Sequence, residues 1–590
     1  MLFFYFFALN IGTAWSALTN KTNCGNDLCT WWHDTGEINR NAPVQPGNVR
    51  QSHRYSVQVS VAGRDEFLDS FVHETIPRNG NGRISAPSDA PNSNTLEDST
   101  DDGISIEPSI GLNMAWTQFE YSQDVDLKIS TIDGSPLGSP EDVIIRPTSI
   151  KYSITSSDSG DILVRIPYDQ NGRKFSIEFK NDLYTFRSDG KQYVSSGGDV
   201  VGIEPTNALV IFASTFLPSS MIPAMNSDNT QTMTPGPIRQ GDWGAKPILY
   251  FPPGVYYMDE DTNGVSGKLG SSHMILDPQT YWVYIAPGAY VKGAIEYTTH
   301  ASKFYATGHG VLSGEHYVYQ ANVDKSYTSH KSDATSLRMW WHNSIQSGQK
   351  WFCHGPTVNA PPFNTMDFNG DVNSISSEIT DYKQVGAYFF QTDGPQIYPN
   401  SVVRDVFWHV NDDALKIYYS GASVSRATIW KCLNDPIIQM GWTTRNAHGV
   451  TINTLNVIHT RYRNSQTDVP TTIIGASPFY QGGKADPKQS ISLTVSKLIC
   501  EGPCPSLVRI VPLQSYRDFV VENVAFPDGL QRNSIGIGQS IIPAAPGVEM
   551  DLQISNWTVG GERVTMKNFQ SGDLGQLNID ESYWGQWSIS

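Results

Sequence analysis

QTDGPQIYPNSVVRDVFWHVNDDALKIYY, Gln391–Tyr419, is the stretch that decides how this chain is read. Its two ends align without a gap. QTDGPQIY at Gln391–Tyr398 lies over NDDALKIY at Asn411–Tyr418, an offset of 20 residues. LNDPIIQM at Leu433–Met440 follows at an offset of 22. Self-similarity at a near-fixed period of this length is the signature of a solenoid, in which each repeat is one coil stacked on the last. Paired strands lie about 4.8 Å apart, so residues one period apart in the chain become neighbours in space. The alignment predicts one column of Asp393, Asp413 and Asp435 and, beside it, a column of Thr392, Asp412 and Asn434.

Three acids, Asp393, Asp412 and Asp413, then converge on one patch. Carboxylates crowded this way cannot all ionise freely, so at least one takes a raised pKa. A protonated acid beside ionised carboxylates is what cleavage of a glycosidic bond requires. Asp-Gly and Asn-Asp-Asp are also ordinary turn sequences. It is the convergence of three acids with Lys416, His409 and aromatic residues that points to chemistry. Alternation puts Leu415 and Ile417 inward and Ala414, Lys416 and Tyr418 outward, which turns Asp412 out but Asp413 in. An unpaired carboxylate in an apolar core is too costly, so a corner or bulge at Asp412–Asp413 is expected to turn both outward. Lys416 is placed to bond sugar hydroxyls or restrain the charge of the acids. Trp442, Tyr388 and His409 are candidate wall residues.

Working outward, the same texture extends along the C-terminal part of the chain. Apolar runs such as ILYFPPGVYYM (Ile248–Met258), WVYIAPGAYVKGAIEY (Trp282–Tyr297) and VTINTLNVIH (Val450–His459) recur every 20 to 30 residues. They are rich in β-branched residues and sustain no helical period. A right-handed parallel β-helix over 247–590 accounts for them, each coil burying an apolar stack and covering the edge of the last. Residues 17–216 read differently, as short alternating strands (YSVQVSV at Tyr55–Val61, KFSIEF at Lys174–Phe179) separated by Gly-, Asn- and Pro-rich turns. That pattern predicts a β-sandwich. Between them, 217–246 is dominated by Pro, Ser, Thr and Asn and is expected to be a connection.

At 590 residues the chain is long enough for two or three domains. With 41 Lys and Arg against 58 Asp and Glu, the formal charge is −17, which argues against nucleic acid and anionic membranes and suits a neutral polymer. Residues 1–16 read as a secretory signal, with Ala14 and Ser16 as small residues before the cut. No later apolar run is long enough to span a membrane. Six cysteines fit an oxidising compartment. Six allow 15 pairings. Proximity favours Cys24 with Cys29 and Cys500 with Cys504, leaving Cys353 with Cys432. No spacing resembles a zinc site, and no metal or cofactor is expected. Asn20-Lys-Thr and Asn556-Trp-Thr are acceptor sequences for N-glycans.

Longer stretches carry a resemblance. CTWWHDTGEIN (Cys29–Asn39), DDGISIEPSIGLNMAW (Asp101–Trp116), APPFNTMDFNG (Ala360–Gly370), Asp381–Ser420 and IIQMGWTTRN (Ile437–Asn446) are similar to the fungal dextranases of glycoside hydrolase family 49, the family that also contains isopullulanase. The resemblance covers nearly the whole chain after the signal. It implies an N-terminal β-sandwich followed by a right-handed parallel β-helix, and hydrolysis of internal α-1,6 bonds of dextran with inversion; the leader predicts secretion, and a monomer is expected. By position, Asp412 resembles the family's general acid, and Asp393 and Asp413 the acids that activate water. The alternatives are an isopullulanase-like enzyme cutting α-1,4 bonds of pullulan, and a non-catalytic glucan-binding helix.

Overall fold

The structure, a computed structural model, describes residues 21–40, 42–76, 113–156, 160–188, 193–194, 196–239, 241–258, 273–317, 337–389, 391–432, 434, 436–461, 472–476, 484–510, 513–530, 546–570 and 587–590. The segment 1–16 expected to be a secretory signal, Asn20 and Asp435 fall outside them.

Two sheets form the N-terminal sandwich. One runs Lys21–Cys24, Leu28–Trp32, Asn113–Tyr121, Asn207–Thr215, Arg173–Phe179 and Val143–Arg146; the other runs Ser153–Ser156, Ile162–Ile166, Val125–Thr131, Tyr55–Val61 and Leu68–Ser70. The alternation in YSVQVSV does what the period-2 rule requires, since Tyr55, Val57 and Val59 enter the core with Leu127, Ile129 and Val164 from the same sheet. Phe119, Phe175, Ile177, Leu209 and Ile211 meet them from the facing sheet. Asn113–Tyr121 is buried along its whole length. Its other side, Met114 and Trp116, packs with Val210 and Phe212 against Tyr290, Val311, Val385, Tyr388, Phe407, Trp430 and Ile458 of the C-terminal part. The sandwich therefore lies along the flank of the second domain.

That second domain is a parallel β-solenoid built on a 21-stranded sheet. One column shows why the sequence repeats. Leu249, Val283, Ala306, Cys353, Ile379, Val403, Val424, Ile452, Val495, Val521, Ile554 and Ile589 are successive ladder partners, all buried in one core. At one corner the chain bends through left-handed backbone at Asp405, Arg426 and Thr454, and again at Asn523 and Asn556. Asp and Asn tolerate that region. Neighbouring corners bond to each other: Arg426 pairs with Asp405, and the Asn556 amide donates to Asn523 Oδ1 at 2.8 Å. The Asn556 sequon thus sits on an exposed corner.

Two expectations are corrected. The stretch 217–246 is not a bare connection: Thr230–Thr232 and Gly236–Ile238 pair in parallel with the strands Ile248–Phe251 and Gly254–Met258, and Met233, Ile238 and Trp243 enter the solenoid core. Strands of three residues are too short to show a period, so their Pro and Asn punctuation hid them. Cys24–Cys29 and Cys500–Cys504 are disulfides, but Cys353 and Cys432 remain buried thiols. Cys353 precedes the coil of Cys432 by the ladder steps Ile379, Val403 and Val424. At about 4.8 Å per step they lie beyond the ~7 Å that a disulfide can bridge.

Candidate active site

The two coils of the founding alignment do stack. Gln396 bridges Lys416 in parallel, the predicted offset of 20, and the next register, Leu415 with Ile438 and Lys416 with Gln439, is 23 rather than 22. The third segment is therefore displaced by one residue from the expected column. Strand Val402–Val410 ends, the chain turns a corner at 411–413, and the short strand Leu415–Lys416 begins. The corner expected at Asp412–Asp413 is present, but it turns the two acids into the cleft rather than out to solvent, and they stay buried at 5% and 2% exposure. Ala414, expected to face out, instead joins the core with Leu415 and Ile417. Gly394 is required by close approach: a Cβ there would lie 2.2 Å from Ala414 O, and its amide donates to Asp413 O at 2.9 Å. The Asp-Gly pair is thus the contact that lets the two acid-bearing coils touch.

Asp393, Asp412 and Asp413 each offer an oxygen within 4.8 Å of the others. They line a cleft of about 460 Å³ together with Lys416, Tyr418 and Trp442, and Asn364, Asp367, Gln391 and Gln396 complete its wall. Each carboxylate is held differently. Asp393 Oδ2 accepts from Lys416 Nζ at 3.1 Å, and the Asn364 amide nitrogen, turned toward it, lies 2.6 and 2.7 Å from its two oxygens. Asp412 Oδ2 accepts from the Gln391 amide at 2.9 Å and from Asn434 Nδ2 at 2.8 Å; its Oδ1 accepts from the Asp413 amide at 2.8 Å. Asp413 accepts from Gln439 Nε2 at Oδ1 and from the Tyr418 hydroxyl at Oδ2, both at 3.1 Å.

Burial pushes Asp393 well above the usual carboxylate range, and the charges of Asp412 and Asp413 add to it, while Lys416 opposes. Burial also pushes Asp413 up, to about 7, with Asp412 adding and Lys416, Lys431 and Gln439 opposing. For Lys416, burial acts downward but is outweighed by Asp393, Asp367 and Asp413, so its ammonium is raised. Both shifts run against the expectation that Asp393 and Asp413 stay ionised. Asp393 and Asp413 share one low-dielectric space, so neither can lose its proton independently of the other. The three oxygens could gather around a cation, but Lys416 already supplies a positive charge there.

Two of the expected wall residues lie elsewhere. His409 is fully buried beneath the site, taking the Ala387 amide at Nδ1 and facing Cys432 Sγ at Nε2, and burial pushes it down to about 3. The Tyr388 hydroxyl donates to Thr75 O of the sandwich at 2.9 Å. Both sit on the flank facing the sandwich, because alternation along Val402–Val410 sends His409 opposite to the core. Asn434, aligned with Asp412 in the sequence, does reach it, whereas Asn364 and Gln439 escaped the sequence reading. Gln439 was findable as the register partner of Lys416; Asn364 comes from an earlier coil and carries no local signal.

Three carboxylates on adjacent rungs of a parallel solenoid, in a polar cleft with an aromatic wall, define a polysaccharide-cleaving glycoside hydrolase. Residues 18–216 match the glycosyl hydrolase family 49 N-terminal Ig-like domain and residues 481–590 match glycosyl hydrolase family 49; between them, 362–394 match the β-solenoid repeat from dextranase and 430–462 the isopullulanase β-solenoid repeat. A dextranase of Talaromyces minioluteus is 73% identical over 97% of this chain and 94% of its own length. Isopullulanase of Aspergillus niger is 35% identical over 98% of each chain. The solved structure of Dex49A from Penicillium minioluteum matches with a TM-score of 0.88 at 72% identity, covering 97% of this chain and all of that one. The chain belongs to glycoside hydrolase family 49.

Proposed function

We propose that this protein is a secreted dextranase that hydrolyses internal α-1,6-glucosidic bonds of dextran with inversion at the anomeric carbon. The observation that carries the reading is the trio of aspartates whose oxygens meet within 4.8 Å, in a chain 73% identical to a dextranase. Asp412 acts as general acid. Its Oδ1 takes a single N–H donor against two at Oδ2, so Oδ1 keeps the lone pair that carries the proton. That proton passes to the glycosidic oxygen as its bond to C1 breaks and the bonding pair leaves with the oxygen. Asp393 and Asp413 hold a water on the opposite face, which attacks C1 and gives its proton to one of them. The cluster must then enter the reaction with its proton on Asp412 and the other two ionised.

The spacing bears on stereochemistry. Inverting enzymes generally hold acid and base roughly 6.5–9.5 Å apart, farther than the nearest oxygens here. Two carboxylates sharing one water let that water sit between them, off the line to Asp412. Lys416 and Trp442 supply a hydrogen-bond donor and a stacking face for the sugar. The apolar leader at 1–16 supports export, and the secreted chain begins at Ala17. Hydrolysis of dextran with no cleavage of pullulan supports the assignment, together with loss of hydrolysis in Asp412→Asn while the variant still binds dextran. Cleavage of pullulan at α-1,4 bonds would favour the isopullulanase-like reading, and unchanged turnover in Asp412→Asn would overturn the role of that residue.

A further inference from the structure

We propose that Tyr418, with the Arg445 guanidinium stacked on its ring, is a positioning pair that fixes Asp413 and favours its ionised form. The inference rests on the reading of Asp413 as a water-activating carboxylate and goes beyond it to what prepares that carboxylate.

Three contacts build the device. The Tyr418 hydroxyl donates to Asp413 Oδ2 at 3.1 Å. The Arg445 guanidinium carbon stands 4.1 Å from the centre of the Tyr418 ring. A Cβ at Gly441 would lie 2.4 Å from Arg445 Nε, and only the bare glycine leaves room for the guanidinium. Thr443 holds that group in place, its carbonyl accepting from Nε at 3.3 Å. The same segment grips the other oxygen of Asp413. Gln439 Nε2 donates to Oδ1 at 3.1 Å, and the Gly441 amide fixes the Gln439 side chain by donating to Oε1 at 3.0 Å. Residues 439–445 thus reach Asp413 from both sides, once directly and once through an aromatic ring.

The physical consequence is electrostatic. A cation over a ring face is attracted by its π electrons and draws on them. The phenol O–H becomes a stronger donor, and a hydrogen bond to an ionised acceptor is the kind that gains most from it. Among the described residues no ammonium bonds Asp413 as Lys416 bonds Asp393; Lys416 and Lys431 oppose the charge of Asp412 on it from farther off, and Arg445 adds its charge through Tyr418. A proton placed on Oδ2 would face an O–H already pointing at that oxygen. Water activation needs an unprotonated oxygen, and this arrangement keeps one.

The test is the pH dependence of kcat on dextran for Tyr418→Phe, Arg445→Met and the double variant, with Asp413→Asn as reference. Removing the hydroxyl is expected to lower kcat about tenfold, the value of one hydrogen bond to a charged group, with KM within about twofold. The acid limb of the profile moves to higher pH. Arg445→Met moves the same limb in the same direction by less, and adds little once the hydroxyl is gone. An unmoved acid limb in Tyr418→Phe, or independent and additive effects of the two substitutions, overturns the inference. If Asp413→Asn turns over normally, the inference falls together with the role of Asp413. If Asp413→Asn is inactive and the Tyr418→Phe limb stays put, only the inference falls.

Discussion

Lys416 Nζ lies 3.1 Å from Asp393 Oδ2, although the two residues are 23 positions apart and come from successive coils. Their side chains are almost fully enclosed, at 4% and 10% exposure. Removing one partner of a buried pair strands the other charge, at a cost of about 3–5 kcal/mol. Lys416→Met should therefore lower the melting temperature at pH 8 and do so less at pH 4, where Asp393 takes up a proton. It should also abolish turnover, because without the opposing ammonium Asp393 holds its proton more tightly still and cannot accept one from water.

Asp413 carries a pH signature of its own. Its folded-state pKa, about 7, stands above the ordinary 3.8. The folded chain thus binds a proton that the unfolded chain gives up, and stability declines as pH climbs from about 4 to about 7. Asp413→Asn, which cannot ionise, should melt higher than the parent at pH 8, with the advantage vanishing near pH 4. Thermal melts at the two pH values check it, and turnover should be lost at both.

At the domain interface His309 faces a carboxylate with each ring nitrogen, Glu120 of the sandwich at 2.6 Å and Asp381 of the solenoid at 3.0 Å. Lys174 and Lys383 stand on the far side of Asp381. Burial acts to lower this histidine, but the hydrogen bonds to Asp381 and Glu120 outweigh it and raise the imidazolium above 6.5. The stability it lends is complete below that value and is lost as pH rises through the raised one. His309→Gln should melt well below the parent at pH 5.5 and closer to it at pH 9.

The cysteine assignment is open to direct count. Thiol titration of the unfolded, unreduced chain should find two reactive thiols, Cys353 and Cys432, and peptide mapping should find the 24–29 and 500–504 bridges. A count of zero would restore the discarded third bridge.

What the sequence made legible follows from which forces act locally. The 20-residue offset between Gln391–Tyr398 and Asn411–Tyr418 was readable because stacked coils must repeat their inward residues, and it brought Asp393 to Asp413 as expected. The corner at 411–413 was readable because a carboxylate is costly in an apolar core, although the acids it turns out of that core stay buried in the cleft. His409 and Tyr388 were misplaced because a third environment, the flank packed on the sandwich, is invisible to a rule that knows only core and solvent. His309, between two glycines at 308 and 310, bridges two domains, and no local pattern shows it because its partner Glu120 lies 189 positions away. The Cys353–Cys432 pairing failed because elimination among cysteines ignores how many rungs separate them.

The most direct trial of the central claim, that Asp412 protonates one face while Asp393 and Asp413 drive water onto the other, is proton NMR of the reducing end freshly released from dextran. Appearance of the β-anomer first, followed by mutarotation, is the predicted result. Initial release of the α-anomer would contradict it.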